Sequence, residues 1–331
     1  MLEAARVSRG FTQAMLAQRS GVAQGVISKF ESGILPIDGR IDALAEQLRV
    51  PVALINGTTV QAPHSRVYHR KQASLPAKVA NKLHADMMLT HVRTSRLIAR
   101  EAMPTPDVPR LPLGSALDTP SDRARAVRDL WEISRGPIVN IVALLESRGV
   151  PCLMWDVESV RVDAIASWPE NARPIVMLNS HAPGDRLRFT VAHELGHAVL
   201  HDLPSREGER EADEFAAEFL MPRADIRDVL EGATLPRLVE LKKVWGTSIA
   251  ALARRARDVG SISDSAYRSL NIELSMSGAR KYEPVQMDPE SPTLVKEVVR
   301  RRRTAGESLA DIAADALMSS EELNRQYLEV A

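Results

Sequence analysis

The segment RLRFTVAHELGHAVLHD, residues 186–202, decides how the middle of this 331-residue chain folds. Apolar residues recur in it at helical spacing, and His193, Glu194 and His197 form the pattern HExxH. Residues four apart lie one turn above each other on a helix, about 6 Å along the axis. Two imidazoles so placed can converge on one Zn²⁺, and the intervening glutamate can take a proton from metal-bound water. The pattern therefore predicts a helix that carries a metal centre, with Glu194 as its general base.

The next segment, EREADEFAAEFLMP at 209–222, is expected to supply the third ligand. Its apolar residues form one helical stripe, and the short connection before it predicts antiparallel packing on the HExxH helix. Glu209 and Asp213 border this stripe, so we expect Glu209 to bind the metal and Asp213 to accept a proton from a ligand histidine. This Glu-x-x-x-Asp arrangement is similar to that of gluzincins. Glu211 and Glu207 remain alternatives for the ligand.

His201 lies on the same helix face but is not expected to bind the ion. It is eight residues from His193, which places it about 12 Å along the axis, too far for both to share one metal. We therefore interpret His201 as a packing or hydrogen-bonding residue. Two histidines and one glutamate suit one Zn²⁺ per chain, and this ligand set also accommodates Mn²⁺.

The N-terminal segment FTQAMLAQRSGVAQGVISKFESGILP, residues 11–36, predicts two short helices joined by a tight turn. Thr12 can cap the first helix of this pair with its hydroxyl, and Gly21 favours a turn before the second helix of the pair. Such a helix pair fits the major groove of double-stranded DNA. Polar side chains on the second helix, and one at the start of the first, are expected to contact bases or phosphates: Gln24, Ser28, Lys29 and, on the first helix, Gln13.

The patterns TQ-x-x-LA, G-V and IS-x-x-E-x-G in this segment resemble the XRE, or Cro/repressor, helix-turn-helix family. The resemblance extends over most of residues 1–57 and implies a DNA-binding domain. Met1 falls inside what should be the first helix of such a domain, so we expect that helix to be clipped and the domain to be weakened.

Charge is distributed unevenly, although 43 basic and 43 acidic residues cancel. Residues 1–110 carry 15 basic and 8 acidic side chains, and residues 151–230 carry 8 basic and 15 acidic ones. This asymmetry favours a polyanion-binding end joined to a region of different chemistry. A single cysteine excludes a disulfide framework and a cysteine-rich zinc module. Without a long apolar run or a secretory signal, we expect a cytoplasmic protein with no membrane partner.

Proline-rich stretches at 104–122 and 284–292 predict a multidomain protein. We expect an all-α helix-turn-helix domain, a basic connector with a proline-rich linker, an α+β zincin-like metallopeptidase domain and a helical C-terminal region. The connector is predicted to be helical over 66–103. The four boundaries are 1–57, 58–122, 123–283 and 284–331.

Three short β-rich runs are expected to form a small sheet over the metal-binding helices: 152–157, 162–168 and 174–179. The last run, PIVMLN, directly precedes the HExxH segment. We expect it to lie at a sheet edge, where it could align a substrate peptide by strand addition.

The region from 125 to 285 as a whole resembles the ImmA/IrrE family of metallo-endopeptidases. The resemblance rests on GPIVNIVALLESRGV (136–150), VDAIASW (162–168), PIVMLN (174–179), DRLRFTVAHELGHAVLH (185–201), EREADEFAAEFLMP (209–222) and LKKVWGTSIAALARRA (241–256). It implies a cytoplasmic zinc protease that relieves repression by cleaving a regulator in a stress or mobile-element response. Fusion to an XRE domain is a recurrent arrangement in this family.

Together these features predict a DNA-binding regulatory zinc endopeptidase. Its expected partners are double-stranded DNA and a protein substrate, either a transcriptional repressor or an antitoxin, and homodimerisation is left open. One alternative is a transcriptional regulator whose metal-binding domain senses or dimerises without proteolysis. Another is a protease whose helix-turn-helix docks protein rather than DNA. An intact Glu194 favours an enzyme, because a sensor needs metal ligands but no general base.

Overall fold

The β-rich runs form a mixed sheet in the computed structural model of the protein, which describes residues 1–36, 38–56, 67–68, 76–115, 118–156, 162–202, 205–280 and 282–328. Within these residues the sheet has four strands, β1 (Val67–Tyr68), β2 (Cys152–Trp155), β3 (Ala164–Ser167) and β4 (Ile175–Asn179), in the order β1-β3-β4-β2. β3 is antiparallel to β1 and to β4, whereas β2 runs parallel to β4. The three predicted strands are therefore confirmed, each slightly shorter than expected.

Two expectations about this sheet are wrong. β1 lies inside the stretch 66–103, which the sequence predicts to be helical; the helix of this stretch, α6, covers Ala77–Ile98. β4 is an interior strand rather than an edge, because it pairs with β2 on one side and β3 on the other. All five residues of β4 are buried, as is typical of a strand covered on both faces. A substrate peptide therefore cannot add to β4.

The N-terminal segment folds into the predicted helix-turn-helix. Thr12 caps the second helix by accepting a hydrogen bond from the Met15 amide at 3.1 Å, and Gly21 follows it with φ 72°. Leu16 and Ile27 are fully buried between the helices. The helices described in this domain are α1 (Leu2–Ser8), α2 (Gln13–Ser20), α3 (Gln24–Glu31), α4 (Ile41–Leu48) and α5 (Val52–Asn56).

α6, with 22 residues, joins this domain to the rest of the protein. Some of its buried side chains complete the N-terminal core: Ala85, Leu89 and Val92. Others pack with the sheet and the C-terminal helices: Leu83, Met87, Leu97 and Ile98. The C-terminal helices are α15 (Leu294–Thr304), α16 (Leu309–Asp315) and α17 (Ser320–Leu323). The basic connector is thus part of two hydrophobic cores.

The largest core holds the sheet against the remaining helices. These are α7 (Pro120–Leu130), α8 (Ile141–Ser147), α9 (Gly184–Leu200), α10 (Arg206–Leu220), α11 (Arg223–Ile226), α12 (Leu235–Trp245), α13 (Ile249–Asp258) and α14 (Asp264–Met276). None of the helices in the described parts of the chain combines the length and apolar character needed to cross a membrane.

Both proline-rich stretches pack along α9. The Leu111 amide donates to the Val199 carbonyl at 2.9 Å near the end of α9. At its beginning, the Gly184 amide donates to the Met287 carbonyl at 2.9 Å, and the buried Arg188 forms an ion pair with Glu290. These stretches therefore brace the helix that carries HExxH.

Candidate metal centre and DNA-contacting face

α9 and α10 bring the three predicted metal ligands together. The Nε2 atoms of His193 and His197 lie 3.1 Å apart. One carboxylate oxygen of Glu209 lies 3.5 Å from His193 Nε2, and the other lies 3.3 Å from His197 Nε2. Ligand atoms at about 2.0–2.1 Å from one tetrahedral Zn²⁺ are about 3.3 Å from each other. The three side chains therefore have the spacing that a zinc site requires.

Close packing of α9 and α10 places Glu209 opposite the histidines. The helices are antiparallel, since His201 lies beside Gly208 whereas Gly196 lies beside Ala212. A Cβ atom at Gly196 would be 3.2 Å from the Cα of Ala212 and 3.1 Å from the ring of Phe215. Only glycine therefore allows this approach without displacing a neighbour.

Hydrogen bonds on the far side of each imidazole assign its proton. His193 Nδ1 lies 2.9 Å from Asp213, so neutral His193 donates from Nδ1 and keeps a lone pair on Nε2. His201 Nε2 donates to Glu211 at 2.9 Å, which makes His201 Nδ1 an acceptor. His197 Nδ1, 2.9 Å from that atom, then donates to it, and His197 Nε2 also presents a lone pair.

The donor set fits a divalent cation. Two imidazole lone pairs and the Glu209 carboxylate converge, with all three ligand atoms within 4.8 Å of one another. Electron-pair donors at such distances repel each other unless a cation lies between them. Nitrogen and oxygen ligands of this type suit Zn²⁺ and also Mn²⁺.

The pKa values in the cluster also indicate that its carboxylates stabilise a positive charge at this position. Burial lowers the pKa of His197 to about 4. Burial also opposes protonation of His193, but hydrogen bonds to Asp213 and Glu209 outweigh it and raise the pKa of His193 to about 9. Desolvation acts to raise the pKa of Glu209, yet its hydrogen bonds to the two histidines hold that pKa well below its usual range. A metal ion would take the place of the proton that these carboxylates stabilise.

Glu194 lies next to the ligands without being one of them. It is fully buried on α9 and is absent from the group of convergent ligand atoms. Its charge contributes to the raised pKa of His193, which is consistent with a carboxylate close to the centre.

The alternative ligands point elsewhere in this structure. Glu211 binds His201, and Glu207, whose side chain is 73% exposed, pairs with Arg210 at 3.2 Å. His201 is therefore a hydrogen-bonding residue that connects Glu211 to His197.

Arg110 has a role at this site that the sequence analysis missed. Its Nη1 donates to the carbonyl oxygens of Ala198 at 2.5 Å and His201 at 2.9 Å. The last carbonyls of a helix have no partner within the helix, so Arg110 caps the end of α9. No local pattern marks this residue, because Ala198 is 88 positions away along the chain.

The predicted DNA-contacting residues lie at the surface of the helix-turn-helix. Gln24, Ser28 and Lys29 are exposed on α3. Gln13 is half-buried, and its amide donates to Glu31 at 2.8 Å, so it also joins α2 to α3. Contact of these side chains with DNA stays a prediction.

Comparisons with known proteins recognise two segments of the chain. Residues 146–257 match the IrrE N-terminal-like domain family, and residues 2–55 match a helix-turn-helix family. The chain joins a helix-turn-helix domain to an IrrE-like domain. It is also 32% identical over 170 residues to the radiation response metalloprotease IrrE of Deinococcus radiodurans, a match that covers 44% of this chain and 49% of that protein. The chain thus spans about half the length of this relative.

The resemblance seen in the sequence is therefore confirmed for two segments, 2–55 and 146–257. The IrrE-like segment contains β2, β3, β4, α9 and α10, and with them the three candidate ligands and Glu194. The helix-turn-helix match contains α1 to α4 and most of α5. α6 lies outside both matches, so the helix shared by two cores belongs to neither recognised segment.

Proposed function

We propose that this protein is a DNA-binding regulatory zinc metallo-endopeptidase with a zincin-like, gluzincin-type centre. The observation that carries the proposal is the convergence of His193, His197 and Glu209 beside Glu194 within an IrrE-like segment. One Zn²⁺ per chain would be held by these three side chains. Mn²⁺ is compatible with the same donors.

The residues around the centre support peptide-bond hydrolysis. Zinc, when bound, polarises a scissile carbonyl and lowers the pKa of a bound water. Glu194 accepts the proton of the attacking water and then delivers it to the leaving amine. Asp213 and His201 hold the two histidines in the tautomers that direct both Nε2 lone pairs to the ion.

The helix-turn-helix supports a role of this activity in the control of transcription. α3 would enter the major groove of double-stranded DNA, with Gln24, Ser28 and Lys29 on its exposed side and Gln13 near the backbone. The relative's name describes a metalloprotease of the radiation response. By analogy, the substrate would be a cytoplasmic regulator, either a transcriptional repressor or an antitoxin, cleaved under stress or during mobile-element induction.

Substitution of Glu194 by glutamine tests this function. Glutamine cannot accept the water proton, so hydrolysis of a mixed peptide library should fall about 10²–10⁴-fold, while metal content stays at one ion per chain. Glu240→Gln is the matched control, because Glu240 is exposed on α12 and pairs with Lys243. Cleavage is followed by mass spectrometry of the new termini.

The competing function, a metal-binding regulator without turnover, gives a different result. Zinc-loaded wild-type protein would then cleave no peptide, and Glu194→Gln would regulate its genes as the wild type does. A comparison of cellular proteomes with and without Glu194→Gln identifies the substrate, because the uncut regulator accumulates only in the variant.

A further inference from the structure

Thr190 carries a buried hydroxyl beside the candidate metal centre. It lies on α9, three residues before His193 and four before Glu194, so it is one turn from both on the same face of the helix. The residue is 0% exposed, and its hydroxyl oxygen has no hydrogen-bond partner among the residues that the structure describes. A polar group without a partner therefore lies in the turn that precedes the candidate ligands.

A local partner is within reach of this hydroxyl and is not used. Threonine and serine in helices commonly donate to the carbonyl oxygen four residues earlier. Thr304 of α15 does so, with its hydroxyl 3.0 Å from the Arg300 carbonyl. Thr190 makes no corresponding hydrogen bond to Arg186. Its hydroxyl is therefore left available for a different partner.

The unpaired hydroxyl of Thr190 is unfavourable for folding. Burial without a hydrogen bond removes the contacts of the hydroxyl with water and replaces none of them. Groups of this kind are rare in folded proteins, and a catalytic role is one of the reasons for which they are retained. Valine has the same branched shape and would fill the site without this cost. Threonine at this position therefore indicates a use for the hydroxyl.

Glu194 is the partner that the helix geometry supplies. Side chains on a helix lean towards its N-terminus, which directs the long side chain of Glu194 over the turn that contains Thr190. Both residues are fully buried. A threonine hydroxyl can donate to a carboxylate, and it can also accept from a protonated carboxyl group. It can therefore bind both forms that a general base adopts during hydrolysis.

We infer that Thr190 is a positioning residue for Glu194, to which its hydroxyl donates a hydrogen bond when a peptide occupies the centre. The inference rests on the proposed function and deepens it by a residue that acts through the general base. Thr190 makes no hydrogen bond to Glu194 in this structure, and bonds at catalytic groups are often long until substrate binds and shortens them. Donation to one carboxylate oxygen leaves the other oxygen to accept the proton of the attacking water.

Kinetics of Thr190→Val and Thr190→Ser in the full-length, zinc-loaded protein test this role. The substrate is a quenched fluorescent peptide that contains a site cleaved by the wild type in the mixed library. Valine should lower kcat by ~10-fold or more and leave KM unchanged, as expected when a hydrogen bond to a charged group is lost from the transition state. Serine keeps the hydroxyl and should retain most of the wild-type kcat. Both variants should hold one ion per chain.

The Glu194→Gln background shows whether Thr190 acts through the general base. Glutamine cannot accept the water proton, so there is no base left for Thr190 to position. Addition of Thr190→Val to Glu194→Gln should therefore reduce the residual cleavage by less than ~2-fold. The full ~10-fold loss in this background would show that Thr190 acts independently of Glu194 and would overturn the inference.

Thr94→Val is the matched control for stability. Thr94 is a fully buried threonine of α6 whose hydroxyl has a partner, the hydroxyl of Tyr327 at 3.3 Å. Its replacement should lower the melting temperature of the metal-free protein, because Tyr327 loses that partner. Thr190→Val should raise the melting temperature, because it removes an unpaired hydroxyl. A lower melting temperature in Thr190→Val would show that the hydroxyl stabilises the fold, and would overturn the inference.

Failure of this inference can be distinguished from failure of the proposed function. A wild-type protein that cleaves no peptide would overturn both. A wild-type protein that cleaves peptides, together with a Thr190→Val variant of equal kcat, would overturn only the role of Thr190.

Discussion

Replacement of His201 by alanine should weaken metal binding although His201 is not a ligand. His201 Nδ1 accepts the proton of His197 Nδ1 at 2.9 Å, and the side chain of His197 is 1% exposed. Without His201, the metal-binding tautomer of His197 keeps a buried N–H donor with no acceptor, which costs about 1–3 kcal/mol. The other tautomer avoids this cost but carries its proton on Nε2, where the ion would bind.

The expected result is a rise in the zinc dissociation constant of ~10–100-fold, or about 1.4–2.7 kcal/mol. Competition between the protein and a chromogenic zinc chelator measures this change directly. His181→Ala is the matched control, because His181 pairs with Asp156 at the surface and its side chain is 56% exposed. An unchanged dissociation constant in folded His201→Ala protein would refute the assignment of protons in the cluster.

Three further predictions address the candidate ligand Glu209, the predicted DNA-contacting face and the connector helix α6. Glu209→Ala should lose the bound ion in a metal analysis of purified protein, whereas Glu211→Ala should keep one ion with weaker affinity; full occupancy in Glu209→Ala would show that another group binds the metal. Lys29→Ala should weaken binding to duplex DNA and reduce the slope of log K against log salt by about 1; a slope equal to that of wild type would count against contact between Lys29 and phosphate. Leu89→Ala removes a side chain that is 4% exposed and should lower the free energy of unfolding by about 2–5 kcal/mol in urea titrations, whereas Leu130→Ala, at a side chain 59% exposed, should change it little.

Helical periodicity made much of the centre predictable. The four-residue spacing of His193 and His197 fixes one helix face, and the apolar stripe of α10 fixes how Glu209 meets it. The three strands after residue 150 could be predicted because short apolar runs are bounded by prolines and polar turns. These features depend on residues close together in sequence.

Pairing between distant segments could not be predicted in the same way. Val67 and Tyr68 pair with β3, almost 100 residues later in the chain. The sequence on either side of them contains no pattern that predicts a strand. The interior position of β4 could have been predicted from the sequence. PIVMLN lacks the alternation of apolar and polar residues that is expected of a strand with one exposed face. The packing of the proline-rich stretches on α9 depends on backbone groups of remote residues such as Val199. Their composition alone predicts that those stretches are linkers.

Because α6 belongs to two hydrophobic cores, the stabilities of the two recognised segments are coupled. Arg9 of the N-terminal domain and Arg93 of α6 both bind Glu322 in α17, at 2.5 Å and 3.3 Å, so melting of the N-terminal domain breaks contacts of the C-terminal helices. A ligand that binds only the folded state stabilises it by RT ln(1 + [L]/Kd), about 2.7 kcal/mol at a hundredfold excess over Kd. Through α6, such a gain at α3 or at α9 raises the melting temperature of the whole chain. DNA bound at α3 and metal bound at α9 would thus be thermodynamically linked through a single unfolding transition.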